Sequence, residues 1–222
     1  MSRMPVAERR VQLIEAALRV GCRDGIDAAT VRAVAAEASV SLGVVHYCFL
    51  DKDELLRAVA AAITEQNVAS IGYIAPATDL RGLLESAVTN FWAGIIANRG
   101  EQLLSYELTT TSLRHSELGH VAIEQYEGAW SALEVFLEHI EQGAGIRWKV
   151  PRRQLARTIV AVVDGFTLAW LVDGDDEAGK AGMLGFARFL ETQAAPDTDS
   201  ENADGESDLT VRPVVERATL PA

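Results

Sequence analysis

The stretch Thr30–Leu55, TVRAVAAEASVSLGVVHYCFLDKDEL, leaves few folds open. Thr30 is a hydroxyl N-cap, and Val31, Val34, Ala35 and Ala38 place small apolar residues on one face of a short helix. Ser39-Val40 breaks the period. Ser41 can cap a second short helix through Gly43, Val44, Val45 and Tyr47, closed by Phe49. Asp51-Lys52-Asp53-Glu54 then reads as a capping box opening a third helix, with Asp51 as cap and Glu54 at its third position. Two short helices joined by a tight turn suit a DNA major groove. The first braces the second, and the second presents its N-terminal residues to base edges.

The run AVAAEASVSLGVVHYCFLDKDELL resembles the helix-turn-helix of the TetR family of one-component transcriptional regulators. Val34-Ala35, Ala38, Val40-Ser41, Gly43, Val45, Tyr47, Phe49, Lys52, Glu54 and Leu55 match that family's pattern in register. Three positions depart from it: Ser39 replaces the usual turn glycine, His46 the first tyrosine, and Cys48 a histidine or tyrosine. The wording is similar to the branch that includes the choline–betaine repressor. The resemblance implies DNA contacts from Thr30, Arg32, Ser41, Leu42, Gly43, Val44, His46, Tyr47 and Lys52, with Tyr47 and Lys52 on phosphate. Ser41 alone among residues 41–44 offers a side-chain hydrogen bond; Leu42 and Val44 offer apolar contact to thymine methyls, and Gly43 lets backbone approach a base.

The net charge of −12 at first argues against nucleic acid. It is unevenly distributed. Residues 1–60 carry eight basic and eight acidic side chains, while residues 61–190 and 191–222 each carry a net −6. A neutral binding domain must rely on placed contacts and dimerisation rather than general attraction. The N-terminus lacks the apolar core of a signal peptide, and no apolar run reads as a membrane span. Cys22 and Cys48 are expected reduced, in the cytoplasm.

Taken in order, residues 1–6 read as a loose arm, from which Arg3, with Arg9 and Arg10 beyond it, could reach phosphate. Val11, Ile14, Ala17, Leu18, Gly21 and Cys22 mark the buried face of a first helix, with Cys22 a small core residue. Residues 7–67 form the DNA-binding domain. Leu55, Leu56, Val59, Ala60 and Ile63 give the linking helix its inner stripe, and Gly72–Thr78 with Pro76 breaks it. Residues 79–192 continue as amphipathic helices, one of them capped near Ser116, to a last pair around Leu155–Trp170 and Glu177–Thr192. No alternating strand is evident. The class is therefore all-α, about nine helices: a three-helix DNA-binding domain followed by a helical bundle for ligand binding and dimerisation. Residues 193–222 are polar and acidic and read as disordered.

The resemblance implies a homodimer formed by the last two helices, here through Ile159, Val162, Val163, Phe166, Leu184, Ala187 and Leu190, and an effector pocket in the middle helices. Polar and aromatic residues in an apolar bundle nominate Trp92, Tyr106, Thr109, Thr110, Tyr126, Trp130, Asp164 and Trp170 as its lining, beside Glu107, His115 and His120. His115 and His120 lie five apart, on different sides of a helix, which is poor metal geometry. No nucleophile elbow, P-loop, dinucleotide fingerprint or zinc-protease motif is present. The expectation is a ligand-responsive repressor without enzyme activity, cofactor or metal. It binds an operator in double-stranded DNA and leaves it when a small-molecule effector, unnamed by the sequence, is bound. An activator of the same fold and a helical enzyme remain the alternatives.

Overall fold

The computed structural model describes residues 4–71, 79–115 and 118–197. Among them are nine α-helices: α1 Val6–Asp24, α2 Val31–Glu37, α3 Leu42–Cys48, α4 Lys52–Ser70, α5 Leu80–Ala97, α6 Arg99–Arg114, α7 Gly119–Ala144, α8 Arg152–Asp173 and α9 Asp176–Thr192. A 3-10 turn, Ile26–Ala28, follows α1, and two short strands, β1 Ile146–Trp148 and β2 Ala194–Pro196, bracket the last two helices. Arg3, the Gly72–Thr78 break and the Ser116 cap lie outside the described residues, as does the acidic tail from residue 198.

The chain forms two compact units. The N-terminal unit comprises Met1–Glu65 and Asn98–Gly128, so α6 and the start of α7 pack with the N-terminal helices. Its core is alanine-rich: Leu13, Ala16, Ala17, Val20, Val34, Ala35, Val45, Phe49, Leu55, Val59, Leu104 and Leu108 are buried together. Small side chains let α1 and α2 approach closely. A Cβ on Gly21 would collide with Leu104, which is how α6 seats against α1. The Glu107 carboxylate accepts the Ile26 N–H at 3.0 Å and so caps the 3-10 turn.

The sequence reading places the face of α1 correctly at Ala17 and Gly21, with Ile14 and Leu18 packed against the core, and wrongly at its two ends. Val11 is half exposed and Cys22 is exposed, while Leu13, Ala16, Ala17, Val20 and Gly21 are buried. The buried face extends through Leu13, Ala16 and Val20, which leaves Val11 and Cys22 outside it. The inner stripe of α4 is buried as its periodicity predicts.

The C-terminal unit comprises Gln66–Ala97 and Ala129–Ala222. Its core joins Leu83, Leu84, Ala87, Phe136, Leu137, Ile140, Trp148, Leu155, Ala156, Ala187 and Leu190. Trp92 and Trp170 meet edge to face, with ring centres 5.9 Å apart. Their indole N–H groups both end on Asp176, Trp92 on its carbonyl at 3.0 Å and Trp170 on its carboxylate at 2.6 Å. Asp175 caps α9 through the Ala178 N–H, and Gly174, at φ 72, ends α8 in the left-handed region that costs glycine little.

The chain is all-α, as expected, and the strands add one short pairing, which places Ala194–Pro196 in an ordered element where the sequence reads as disordered. β1 and β2 pair antiparallel, Arg147 opposite Ala195, and the Lys149 N–H donates to the Gln193 carbonyl at 2.8 Å. The short segment after α9 finds partners for its backbone in residues almost fifty positions earlier, a pairing that leaves no local trace in the sequence.

Candidate nucleic-acid interface

The turn between α2 and α3 is built from backbone. Thr30 caps α2, its hydroxyl accepting the Ala33 N–H at 3.1 Å. At the other end the Ser39 N–H donates to Ala36 at 3.0 Å and the Val40 N–H to Ala35 at 2.9 Å. These two bonds form a Schellman motif, which needs the residue just past the helix cap left-handed. Ser39 has φ 54, the one non-glycine residue with positive φ among the described residues. The departure from the family pattern at Ser39 thus keeps the glycine's conformation without the glycine.

Helix α3 buries Val45 and Cys48 and leaves Ser41, Leu42, Gly43, His46 and Tyr47 exposed, with Val44 half-buried. The Ser41 hydroxyl makes no capping bond, which leaves it available to an outside partner. A Cβ on Gly43 would meet only the Ser41 oxygen, at 3.9 Å, so nothing inside the chain requires a glycine there. His46 is a surface residue and not part of the packing between the paired helices. Leu50, just beyond α3, is 86% exposed, an apolar side chain that sequence reasoning did not single out.

Charge pairing decides which cations remain for phosphate. Arg19 and Arg23 both bind Glu37, at 2.9 and 3.2 Å, and hold its carboxyl below the usual range. Arg57 lies 3.9 Å from Glu124. Arg10, which by sequence could reach phosphate, pairs with Glu54 at 2.8 Å, donates to the Cys48 carbonyl and stacks over the Phe49 ring. Arg9 donates to Gln12. Arg32, exposed in the first turn of α2, and Lys52, half-buried at the start of α4, form no ion pair among the described residues. The Thr30 oxygen is used by the cap, but its hydroxyl proton is still available to donate.

Asp51 accepts the Glu54 N–H at 2.8 Å, half of the expected capping box. The other half is displaced by one residue: Glu54 accepts from the Leu50 N–H, at 2.8 Å. That backbone bond, followed by Arg10, lowers the Glu54 carboxyl. Burial pushes the Cys48 thiol up, against the pull of Arg10 and Arg9.

The nominated effector residues divide between the units. Tyr106, Thr109, Thr110 and Tyr126 belong to the N-terminal unit, and Trp92, Trp130, Asp164 and Trp170 to the C-terminal unit. Several have internal work. Thr109 donates to the Ser105 carbonyl and meets Gln125, and Thr110 bonds back to Tyr106. Arg157 and Arg153 lie over the Trp130 ring, at 3.9 and 4.9 Å.

The nominated dimer residues need a correction. Ala187 and Leu190 are in the core of the C-terminal unit and offer nothing to a partner. Ile159 also packs partly against that core, while Val162, Val163, Phe166 and Leu184 are half-buried. The exposed apolar stripe runs through Ala161, Gly165, Leu168 and Val172 of α8 and through Ala181, Gly185 and Phe189 of α9. Helix α9 is apolar on two sides, and its inner side packs against α5.

Comparison with known proteins agrees with this geometry. Residues 13–59 match the model of the bacterial regulatory proteins, tetR family. The chain is 34% identical over 184 residues to the HTH-type nicotine-responsive transcriptional repressor HdnoR of Paenarthrobacter nicotinovorans, covering 80% of this chain and 91% of that one. Among solved structures, the multidrug binding protein EbrR, complexed with imidazole, is 30% identical with a TM-score of 0.55, over 81% of this chain and 94% of that one. A transcriptional regulator from Rhodococcus sp. Rha1 shares the fold at a TM-score of 0.65 and 19% identity, over 85% of this chain and 98% of that one.

Proposed function

This chain belongs to the TetR family of bacterial regulatory proteins, and from that membership we infer how it works as a ligand-responsive, DNA-binding transcriptional regulator. It is a repressor. Residues 7–67 hold the operator and residues 79–192 hold the ligand and the partner protomer. The observation that carries the reading is the outward face of α3: an unused Ser41 hydroxyl, a Gly43 with no internal reason to be glycine, and exposed Leu42, His46 and Tyr47.

Two copies engage half-sites about one DNA turn, ~34–36 Å, apart. The exposed apolar stripe of α8 and α9 supports the dimer. Helix α8 is long and apolar enough to cross a membrane, yet only 28% of its apolar stretch is buried within the chain. A partner's matching stripe accounts for the exposed surface, and the protein works in the cytoplasm with its DNA.

Ser41 reads a base edge and Leu42 and Val44 meet thymine methyls. Arg32, Tyr47 and Lys52 fix the register on phosphate, with Thr30 and His46 beside them. The effector is an organic small molecule, and nicotine and related cyclic amines are the first candidates because the nicotine-responsive relative aligns over most of its length. It favours a dimer whose α4 helices no longer match the half-site spacing. For this it must bind the released state better than the operator-bound one.

The test is selection of an operator from random DNA, followed by footprinting with and without candidate amines. Protection of a partly palindromic site, lost on adding one of them, is the expected result. A protein without a preferred site is not a regulator. Lys52→Ala should weaken all DNA sequences about equally and reduce the salt slope by ~1.

A further inference from the structure

We propose that Arg10 is a positioning residue for the recognition helix, one that governs operator affinity through α3 and α4 without touching DNA; this rests on the regulator reading above. Its guanidinium sits where three helices meet. Cys48 is the last residue of α3, and its carbonyl has no partner within the helix. Arg10 supplies the donor, and a cation at a helix C-terminus is favourable in itself. Glu54 stands in the first turn of α4, where a carboxylate is favourable for the converse reason. The Arg10–Glu54 pair at 2.8 Å therefore links the negative end of one helix to the positive end of the next.

The chain between those ends is held as well. Arg10 lies 4.2 Å over the ring of buried Phe49, and Glu54 takes the Leu50 N–H with its second oxygen. Cys48, Phe49 and Leu50 are thus each held by that arginine or that carboxylate. Two positions further along α1, the Gln12 amide donates to the Ala38 carbonyl at the end of α2, at 3.2 Å. One edge of α1 so grips the C-terminal ends of both paired helices. An Arg10 that turned to phosphate would abandon the Glu54 carboxylate, the Cys48 carbonyl and the Phe49 ring together.

The experiment titrates full-length wild type, Arg10→Gln, Arg10→Lys, Glu54→Gln and the Arg10→Gln/Glu54→Gln double variant against the selected operator and a scrambled duplex. Titrations run over a salt series, at a temperature where circular dichroism shows each protein folded. Arg10→Gln and Glu54→Gln should each weaken the operator complex about tenfold. The double variant should be little worse than either, the salt slope should be unchanged, and Arg10→Lys should recover only part of the loss. A salt slope reduced by ~1 in Arg10→Gln, or tighter binding in Glu54→Gln, makes Arg10 a phosphate contact and overturns the proposal. Operator affinity that survives Arg10→Gln while the melting temperature drops makes it a stabilising pair only, which also overturns it. A wild type that prefers no operator sinks the regulator reading and this proposal with it.

Discussion

The Phe166 ring lies where a Cβ on Gly182 would have to be. Helices α8 and α9 owe their close approach to that fit, and Phe166 is therefore committed at least partly within its own protomer. Gly182→Ala should destabilise the protein by about 1–3 kcal/mol, the usual cost of overpacking. Phe166→Leu in the same chain should return part of the loss, because the two substitutions share one contact. Urea unfolding of the two single variants and the double measures the coupling, and simple additivity would show that the ring is not what excludes a methyl group at Gly182.

Ser39 holds a left-handed conformation that an L-residue adopts at a cost of roughly 1–2 kcal/mol. Glycine there loses the strain but adds chain entropy to the unfolded state. Ser39→Gly should still stabilise the protein, by about 1 kcal/mol, and leave operator preference unchanged. A β-branched Ser39→Val should do the opposite. Thermal melts decide the sign, and a Ser39→Gly protein that melts lower than wild type would show that the side chain, not the backbone, is what the turn needs.

The paired helices were legible because local chemistry announces them: a threonine cap, a broken period, a second cap, and a pattern shared with a known family. What the sequence concealed is non-local. Arg10 and Glu54 stand 44 positions apart, and nothing near either suggests the other. The edge of the α1 stripe was misread because Ala16 carries less hydrophobic signal than Val11, although Ala16 is the one that is buried. Ala187 and Leu190 were assigned outward because α9 has two apolar sides, and periodicity does not say which one a partner covers. Thr109 and Trp130 have the composition of a ligand wall and also have internal partners, which composition alone does not distinguish.

The two cysteines should differ in access. Cys22 is exposed and Cys48 is buried. Both thiols are raised, Cys22 by partial desolvation at its packed edge with the Glu101 and Glu107 carboxylates nearby and Cys48 by burial, which disfavours the reactive thiolate in each. A maleimide should label Cys22 in the native protein and Cys48 only in denaturant, as read by mass spectrometry of tryptic peptides. Operator binding should withstand mild peroxide, with Cys48→Ser behaving like wild type. Loss of binding rescued by Cys48→Ser would instead make Cys48 a redox switch.

The dimer face should answer to the exposed stripe rather than to the buried residues. Leu168→Glu and Phe189→Glu place charges on side chains that are about half exposed in the single chain. Each should shift the protein toward monomer and weaken the operator complex while leaving helix content intact. Ala187→Glu places its charge in the core and should unfold the C-terminal unit instead. Sedimentation velocity beside circular dichroism separates the two results. A Leu168→Glu/Phe189→Glu protein that stays dimeric would move the interface elsewhere.

The acid limb of stability has contributions of opposite sign. Glu37 is held low by hydrogen bonds from Arg19 and Arg23, and Glu54 by the Leu50 N–H and then Arg10. In the unfolded chain each returns to about 4.3. Both carboxylates therefore stabilise the fold fully above that value, and the gain is lost as pH falls through their lower folded values. Glu101 works the other way: burial raises its carboxyl, and one of its oxygens is buried with no hydrogen-bond partner among the described residues. Its ionisation opposes folding, a cost that is present above the raised value and relieved as pH falls. Melting midpoints from pH 7 to pH 3 should then show Glu37→Gln and Glu54→Gln below wild type at pH 7 and converging with it toward pH 3. Glu101→Gln should start above wild type and converge from the other side. Salt should shrink the Glu37 difference more than the Glu54 difference, because Glu37 is held by side-chain charges at the surface and Glu54 first by a backbone N–H. A Glu54→Gln protein that melted at the wild-type temperature throughout would mean that the carboxylate contributes nothing to the junction of α1, α3 and α4.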